Sequence, residues 1–292
     1  MQSEAFLEFL ARQGHRIVET ESCYWYNAKP GFYFYFPYHR LIAPSDEELS
    51  HVFRGKPSIG ARYFTPVDHY GKESFMIVCA DKNYDLTSVD AQYARRQTRR
   101  GLENFEIRQL EFKELAALGI SLDHDTLVRQ GRAPSRNEEK EWRLYCSSAE
   151  GLEGFDAWGA FRGNNLASFL VAYQMEDHYT ILHQSSATEY LTLYPNNALV
   201  YYVTKLKLAS PDVNAVSYGP QSLDAPASLD TFKFRMGFQK RLMKQAIVFN
   251  PPVKPFINGF SHACIKLLSS LTPKSDAFRK MEGIVRFYRE ST

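Results

Sequence analysis

The chain has 292 residues, 44% of them hydrophobic and 23% charged, with a mean hydropathy of −0.38, an ordinary soluble globular profile with room for one large or two medium domains. A formal net charge of +2 excludes a molecule that attracts nucleic acid or anionic membrane as a whole, so any basic function has to be local. Cys23, Cys79, Cys146 and Cys264 stand far apart without C-x-x-C spacing, which argues against a zinc site or a disulfide framework and predicts reduced, mostly buried thiols.

The opening MQSEAFLEFLARQGHRIVE mixes acids into its apolar residues, so it reads as neither a signal peptide nor an anchor, and residues 4–12 form a helix. No later segment reaches about 18 uninterrupted apolar residues, so no membrane span and a cytoplasmic location are expected. CYWYNA and GFYFYFPYH read as aromatic strands separated by the turn signal Lys29-Pro30-Gly31. Ser45 with Glu48 three residues on makes a capping-box start for the helix SDEELSHVF, and strands follow at ARYFTPV and SFMIVCA. SVDAQYARRQTRRGLENF is helical and ends at Gly101, EIRQLEF alternates like a strand, and helical segments follow at EFKELAALGI, LDHDTLVRQG and RNEEKEWRLYCSS. GRAPSRNEE is the linker candidate on composition.

From Phe155 three consecutive strands are expected, FDAWGAFRG, NNLASFLVAYQMED and HYTILHQSS, with a turn at Gly163-Asn164-Asn165. ALVYYVTKLKLAS is a helix with Leu199, Tyr202, Val203 and Leu206 on its buried face, followed by the strand NAVSYG. In SLDTFKFRMGF, Ser228 is the N-cap, Leu229, Phe232 and Met236 share a face, Gly237 takes the left-handed position past the helix end, and Phe238 packs back on the last turn. The strand KRLMKQAIVF and two helices, PFINGFSHACIKLLSSL and SDAFRKMEGIVRFYRE, complete the chain.

This order of elements over Phe155 to Phe249, with FKFRMGF ending its helix in a Gly-Phe pair before a late strand, resembles the catalytic half of the GNAT acyl-CoA N-acyltransferase superfamily. ARRQTRRGLENFEIRQLEF, an Arg-rich helix ahead of the second unit, together with FKFRMGF extends the resemblance to Fem-type aminoacyltransferases, which carry two GNAT-like units. The resemblance implies an α/β fold (α+β mixed sheet) with two GNAT-like units in tandem: a degenerate unit over residues 1–112 and an acyltransferase domain with C-terminal helices over residues 113–292. It implies an N-acetyltransferase-like enzyme that moves groups other than aminoacyl groups, from acyl-CoA or acetyl-CoA to the amine of a small molecule or peptide, with no metal and no covalent nucleophile. Two alternatives stand beside it: a Fem-type aminoacyltransferase using aminoacyl-tRNA, and a catalytically silent GNAT-like binding protein.

Many GNAT enzymes hold the pyrophosphate of coenzyme A with an R/Q-x-x-G-x-G/A loop, and this chain has TEYLTLYPNNALVYY in its place. Asn196, Asn197 and Ala198 would offer N–H groups to an anion at that helix start, or merely cap it. The resemblance implies that HYTILHQSS and NAVSYG splay apart around the acyl group. His183, Gln184, Ser185, Ser217 and Tyr218 lie near their C-terminal ends, with His183 as general base, Tyr218 as proton donor to the departing thiolate, Ser217 beside the acyl group, and Gln184 and Ser185 toward the donor. The bland alternative makes His183 and Tyr218 core side chains. Lys233 would contact a phosphate or simply oppose the helix end. Arg95, Arg96, Arg99 and Arg100 form one stripe, to receive tRNA, a nucleotide-linked acceptor or an acidic protein, or to act as a solvated face. Asp123-His124-Asp125 has metal-type residues without a spaced partner group and fits a helix cap. No G-x-S-x-G, P-loop, H-E-x-x-H or G-x-G-x-x-G pattern occurs, which disfavours hydrolase, NTPase, zincin and Rossmann chemistry.

Overall fold

The computed structural model describes residues 2–29, 31–54, 58–220, 227–272 and 275–290. In chain order the elements are α1 (Gln2–Arg12), β1 (Ile17–Glu19), β2 (Tyr24–Lys29), β3 (Phe32–Phe36), α2 (Asp46–Phe53), β4 (Gly60–Thr65), β5 (Lys72–Cys79), α3 (Gln92–Asn104), β6 (Glu106–Leu110), α4 (Phe112–Arg129) and α5 (Glu138–Ala149). They continue with β7 (Phe155–Arg162), β8 (Asn165–Met175), β9 (His178–Ser186), α6 (Pro195–Leu208), β10 (Ala215–Pro220), α7 (Ala227–Arg235), β11 (Gln239–Phe249), α8 (Gly259–Leu271) and α9 (Asp276–Arg289).

Two compact units form. Of the described residues, one gathers those up to Phe9, Ile77–Gly219 and the stretch through α7 to Lys240, and the other gathers Leu10–Met76 and the chain from Arg241 on. The chain crosses between them inside α1, β5, β10 and β11. The reason is where apolar surface finds cover. Val285 of α9 and Phe249 of β11 are buried with Phe32 of β3, so the C-terminal helices complete the core of the early strands.

In that unit β1, β2 and β3 run antiparallel, β3 pairs with β4 in parallel, and β11 closes antiparallel on β4. β2 and β3 are the two expected aromatic strands, although Pro30 of the expected turn lies outside the described residues. Trp25, Tyr35, Phe36 and Phe64 are fully buried, and the Tyr35 hydroxyl donates to the carbonyls of Tyr38 and Arg40 at 3.1 and 2.7 Å. The capping box at Ser45 and Glu48 forms as its spacing predicts, and Glu48 also accepts from the Ser22 N–H at 2.8 Å.

In the other unit β6, β7, β8 and β9 run antiparallel and β9 pairs with β10 in parallel. Arg162 pairs with Asn165, so the β7–β8 turn is the two residues Gly163 and Asn164, with Gly163 at φ +58°. α4 is one continuous helix where two segments were expected. On α6, Leu199 and Val203 are buried as expected, but Tyr202 and Leu206 are exposed, because α3 covers the flank that carries Ala198 and Tyr201. Gly101 does not end α3, which runs on to Asn104. A Cβ there would stand 2.5 Å from the Tyr194 carbonyl oxygen, so this glycine lets α3 lie directly on the start of α6.

α7 begins at Ala227, which places Ser228 inside the helix; the side chains of Ser228 and Leu229 lie outside the described residues. Its C-terminus forms as the sequence predicts. Gly237 has φ +88°, its N–H donates to the Phe234 carbonyl at 2.9 Å, and the Phe238 N–H donates to the Lys233 carbonyl at 3.2 Å, which is the Schellman pattern. Phe238 then packs on Tyr218 with ring centroids 5.1 Å apart, which ties the helix end to β10. A side chain at Gly237 meets the Ser88 carbonyl oxygen, whereas one at Gly131, also left-handed at φ +70°, meets nothing within 4 Å. Gly131→Ala is therefore expected to cost only the left-handed backbone penalty of about 1–2 kcal/mol. Gly237→Ala is expected to cost clearly more, and urea unfolding of the two variants measures the difference.

Candidate functional site

β9 and β10 stay together for three rungs, His178 to Ala215, Tyr179 to Val216 and Thr180 to Ser217. Thr180 and Ser217 close the last rung through their hydroxyl oxygens at 3.1 Å. Beyond it no further rung forms among the described residues, which leaves the β10-facing edge of β9 from Ile181 onward without a partner strand there. Backbone N–H and C=O groups on such an edge are open to an extended ligand.

His183 reaches its position through a bulge. Val171 pairs with His183 and Ala172 with Ile181, so Leu182 is an extra residue that turns the following side chains over. His183 and Ser185 thereby join Phe169 on the face covered by α4 and α5. The imidazole lies parallel to Phe169 at 5.7 Å and beside Trp142 and Tyr145 at 5.5 and 5.9 Å. Gly119 of α4 admits Trp142, since a Cβ there would fall 2.6 Å from the indole. His183 Nε2 lies 2.7 Å from the Asp123 carboxylate, which also accepts from the Ser185 hydroxyl at 2.8 Å.

Asp123 belongs to the Asp123-His124-Asp125 triplet that the sequence reads as a helix cap and not as a partner of His183. It sits in the interior of α4 and is not a helix cap. Burial opposes its charge, yet the bonds from His183 and Ser185 and attraction to His183 and Arg132 outweigh that and hold its carboxyl below the usual range. Asp123 fixes the tautomer with the proton on Nε2, which leaves Nδ1 able to take a proton from a nucleophile. The group is not a hydrolase triad, because there serine and carboxylate bind opposite imidazole nitrogens, and here both meet at Nε2. The buried thiols are poor nucleophiles as well, with burial pushing Cys23 and Cys146 up to about 12 and Cys79 to about 11.

The other expected residues gather separately, around Gln184. The Tyr218 hydroxyl donates to Gln184 Oε1 at 3.2 Å, across the gap between the strands. Burial raises the Tyr218 phenol well above its ordinary value, so it stays protonated and its hydroxyl is available as a hydrogen-bond donor. Lys233 lies 5.0 Å above the Tyr218 ring and bonds Asp230 at 3.0 Å. No hydrogen bond or ring contact joins His183 to Tyr218 among the described residues.

Asn196 is held on all sides: its Oδ1 accepts from Ser168 at 2.7 Å and Gln184 at 3.2 Å, and its Nδ2 donates to Ser186 at 3.1 Å. Asn197 is buried with its amide 3.5 Å from the Met236 sulfur, and Ala198 is fully buried under Gly101. What this helix start can still offer is backbone N–H, because Pro195 at the first position has none and those of Asn196 and Asn197 follow. The loop before it is a two-turn 3-10 helix, Thr188–Leu193, ending at Tyr194 in the left-handed conformation at φ +64°. Against it lies the arginine helix. Arg100 stands 5.8 Å over the Tyr194 ring, Arg96, Arg99 and Arg100 are exposed and Arg95 partly so, and none of the four has a carboxylate partner among the described residues.

No protein-family model and no curated protein matches the chain in sequence. Solved structures do match in fold. FemX superposes with a TM-score of 0.60 at 10% identity over 86% of this chain and 92% of that one. The C-terminal domain of a putative lysylphosphatidylglycerol synthetase from Agrobacterium fabrum gives 0.56 at 9% identity over 88% and 90%. L-PGS from Bacillus licheniformis gives 0.54 at 11% identity over 87% and 93%. The chain thus shares its mixed α/β fold with FemX and with these synthetase domains, in line with the fold that the resemblance implied. No helix among the described residues is long and apolar enough to cross a membrane.

Because Asp123 ionises more readily in the folded state, its charge adds stability above the unfolded carboxyl pKa of about 3.9, and that stability is lost as pH falls through the lower folded value. Asp123→Asn is expected to cost about 1.5–3 kcal/mol near neutral pH, the worth of charged hydrogen bonds. The gap to the wild-type protein should shrink at about pH 3. Urea unfolding at the two pH values measures it, and an equal loss at both would mean that shape, not charge, is what matters.

Proposed function

We propose that the chain is an acyltransferase of the GNAT-like fold that takes an aminoacyl group from a tRNA donor and passes it to an amine, with His183 as the proton acceptor. The observation that carries this reading is the unpaired arginine helix lying on the start of α6, where no glycine-rich pyrophosphate loop exists. A polyphosphodiester meets such a stripe with many phosphates at once, whereas a single pyrophosphate needs a tight backbone cradle. The fold shared with FemX and with lysylphosphatidylglycerol synthetase domains supports testing this donor class first.

In the reaction the acceptor nitrogen attacks the ester carbonyl carbon. A C–N bond forms, the nitrogen loses a proton to His183 Nδ1, the C–O bond to the ribose breaks, and the proton passes to the departing oxygen. Asp123 holds the imidazole in the required tautomer and steadies its charge once it is protonated. The free edge of β9 suits the extended acyl-bearing end of the donor, and Tyr218, kept neutral, is a hydrogen-bond donor in the same gap. A second reading, acyl transfer from acyl-CoA, is favoured by the two backbone N–H groups at the start of α6.

Filter binding with aminoacyl-tRNA should give an affinity that falls steeply with salt. Arg99→Glu with Arg100→Glu should weaken binding at least about tenfold and lower the salt slope by about two. His183→Ala should keep that affinity and lose about 10²–10⁴ in turnover. Calorimetric titration with coenzyme A and acetyl-CoA separates the readings: micromolar binding there, with no tRNA binding, would move the assignment to acyl-CoA.

A further inference from the structure

α8 is turned inside out for a helix of a water-soluble unit. Its capping box at Asn258 and Ser261 is complete, and Ile265 packs on the core with Ile257 while His262 faces Glu282 at 3.4 Å, so one side is fastened. The opposite side carries Phe260, Cys264, Leu267 and Leu271, all exposed, Phe260 by 80% and Leu271 by 68%. They recur at three- and four-residue spacing and make one apolar stripe about 16 Å long. Phe256, 71% exposed, extends it from the preceding turn. Isolated exposed apolar side chains are ordinary, but a continuous stripe on a well-capped helix marks a surface that something covers.

The charges in its own unit say what. From Arg241 to Thr272 the chain has four Lys and Arg residues and no Asp or Glu. Lys254 and Lys266 flank the stripe and are exposed. On neighbouring α9 the carboxylates of Glu282 and Glu290 are engaged, the first by His262 and Arg286 and the second by Lys72. A second copy of the chain would set the same positive charges against one another. Where Lys254 and Pro255 lead into the stripe lies an apolar cavity of about 730 Å³, lined by Leu49, Phe53, Val248 and Phe249, with Asp46 and Lys254 as its charged lining.

We infer that the α8 stripe beds this protein on an anionic lipid bilayer. The aromatic and leucine side chains enter the boundary between headgroups and acyl chains, Lys254 and Lys266 meet lipid phosphates, and the adjoining cavity receives apolar lipid at its lysine-marked mouth. At 13 residues α8 lies in the interface and does not span it. This inference does not depend on the aminoacyl donor.

The test is co-sedimentation of the full-length protein with vesicles of phosphatidylcholine alone and vesicles containing about one third phosphatidylglycerol, at low and at high salt. Binding is expected on the anionic vesicles only and should weaken with salt. Phe260→Asp with Leu267→Asp should reduce it at least tenfold, and Lys254→Glu with Lys266→Glu should reduce it independently, both without change in melting temperature because all four side chains are exposed. Binding of tRNA by these variants should stay at the wild-type level, which separates this result from the donor assignment. Equal binding to neutral vesicles, wild-type binding by both variants, or a concentration-dependent dimer in light scattering that Phe260→Asp abolishes would overturn the inference.

Discussion

The parallel pairing of β9 with β10 ends after its third rung, and the candidate site follows from that ending. Had the ladder continued, the edge of β9 from Ile181 on would be spent on a neighbouring strand and no extended ligand could lie there. Instead the hydroxyls of Thr180 and Ser217 close the paired part, and a side-chain bridge, Tyr218 to Gln184, crosses the opening beyond. A gap of this kind is bounded by fixed backbone on both sides, which is how a rigid sheet presents a reactive group without relying on a mobile loop.

The bulge at Leu182 then decides what faces the gap from each side. It sets His183 and Ser185 beneath α4 and α5, against Asp123, Trp142 and Phe169, and leaves Gln184 to Asn196 and Tyr218. The His183–Asp123 pair and the Gln184 cluster are thereby held on adjacent residues yet apart. The aromatic surround keeps the imidazole oriented, and the carboxylate keeps it in one tautomer.

Small residues and cap geometry place α3 against α6 and α7 against β10. Gly101 lets the arginine helix lie on the start of α6, and the Gly237 cap with Phe238 fastens α7 to Tyr218. In the unit that holds the C-terminal helices, the same economy of apolar cover leaves one side of α8 unused. Its inner residues satisfy the core with Phe249 and Val285, and its outer ones remain for another surface.

The sequence by itself determined the features whose physics is local. The Ser45–Glu48 capping box, the Gly163–Asn164 hairpin turn, the Gly237–Phe238 helix end and the order of strands and helices each depend on residues within a few positions of one another. It also marked His183 and the four arginines by residue type. Only the tertiary structure decided what those residues meet. Asp123 and His183 are 60 positions apart, and Asp123 read as a cap because its partner lies on a strand that nothing near it in sequence announces. Asn196 read as an anion contact or a cap, and its side chain is instead taken up by Ser168, Ser186 and Gln184; Gly101 read as a helix end because the backbone of Tyr194 that requires its missing Cβ is far along the chain. Which strands the last helices cover is likewise set by the burial of matching apolar faces, a property of the packed molecule and not of any segment within it.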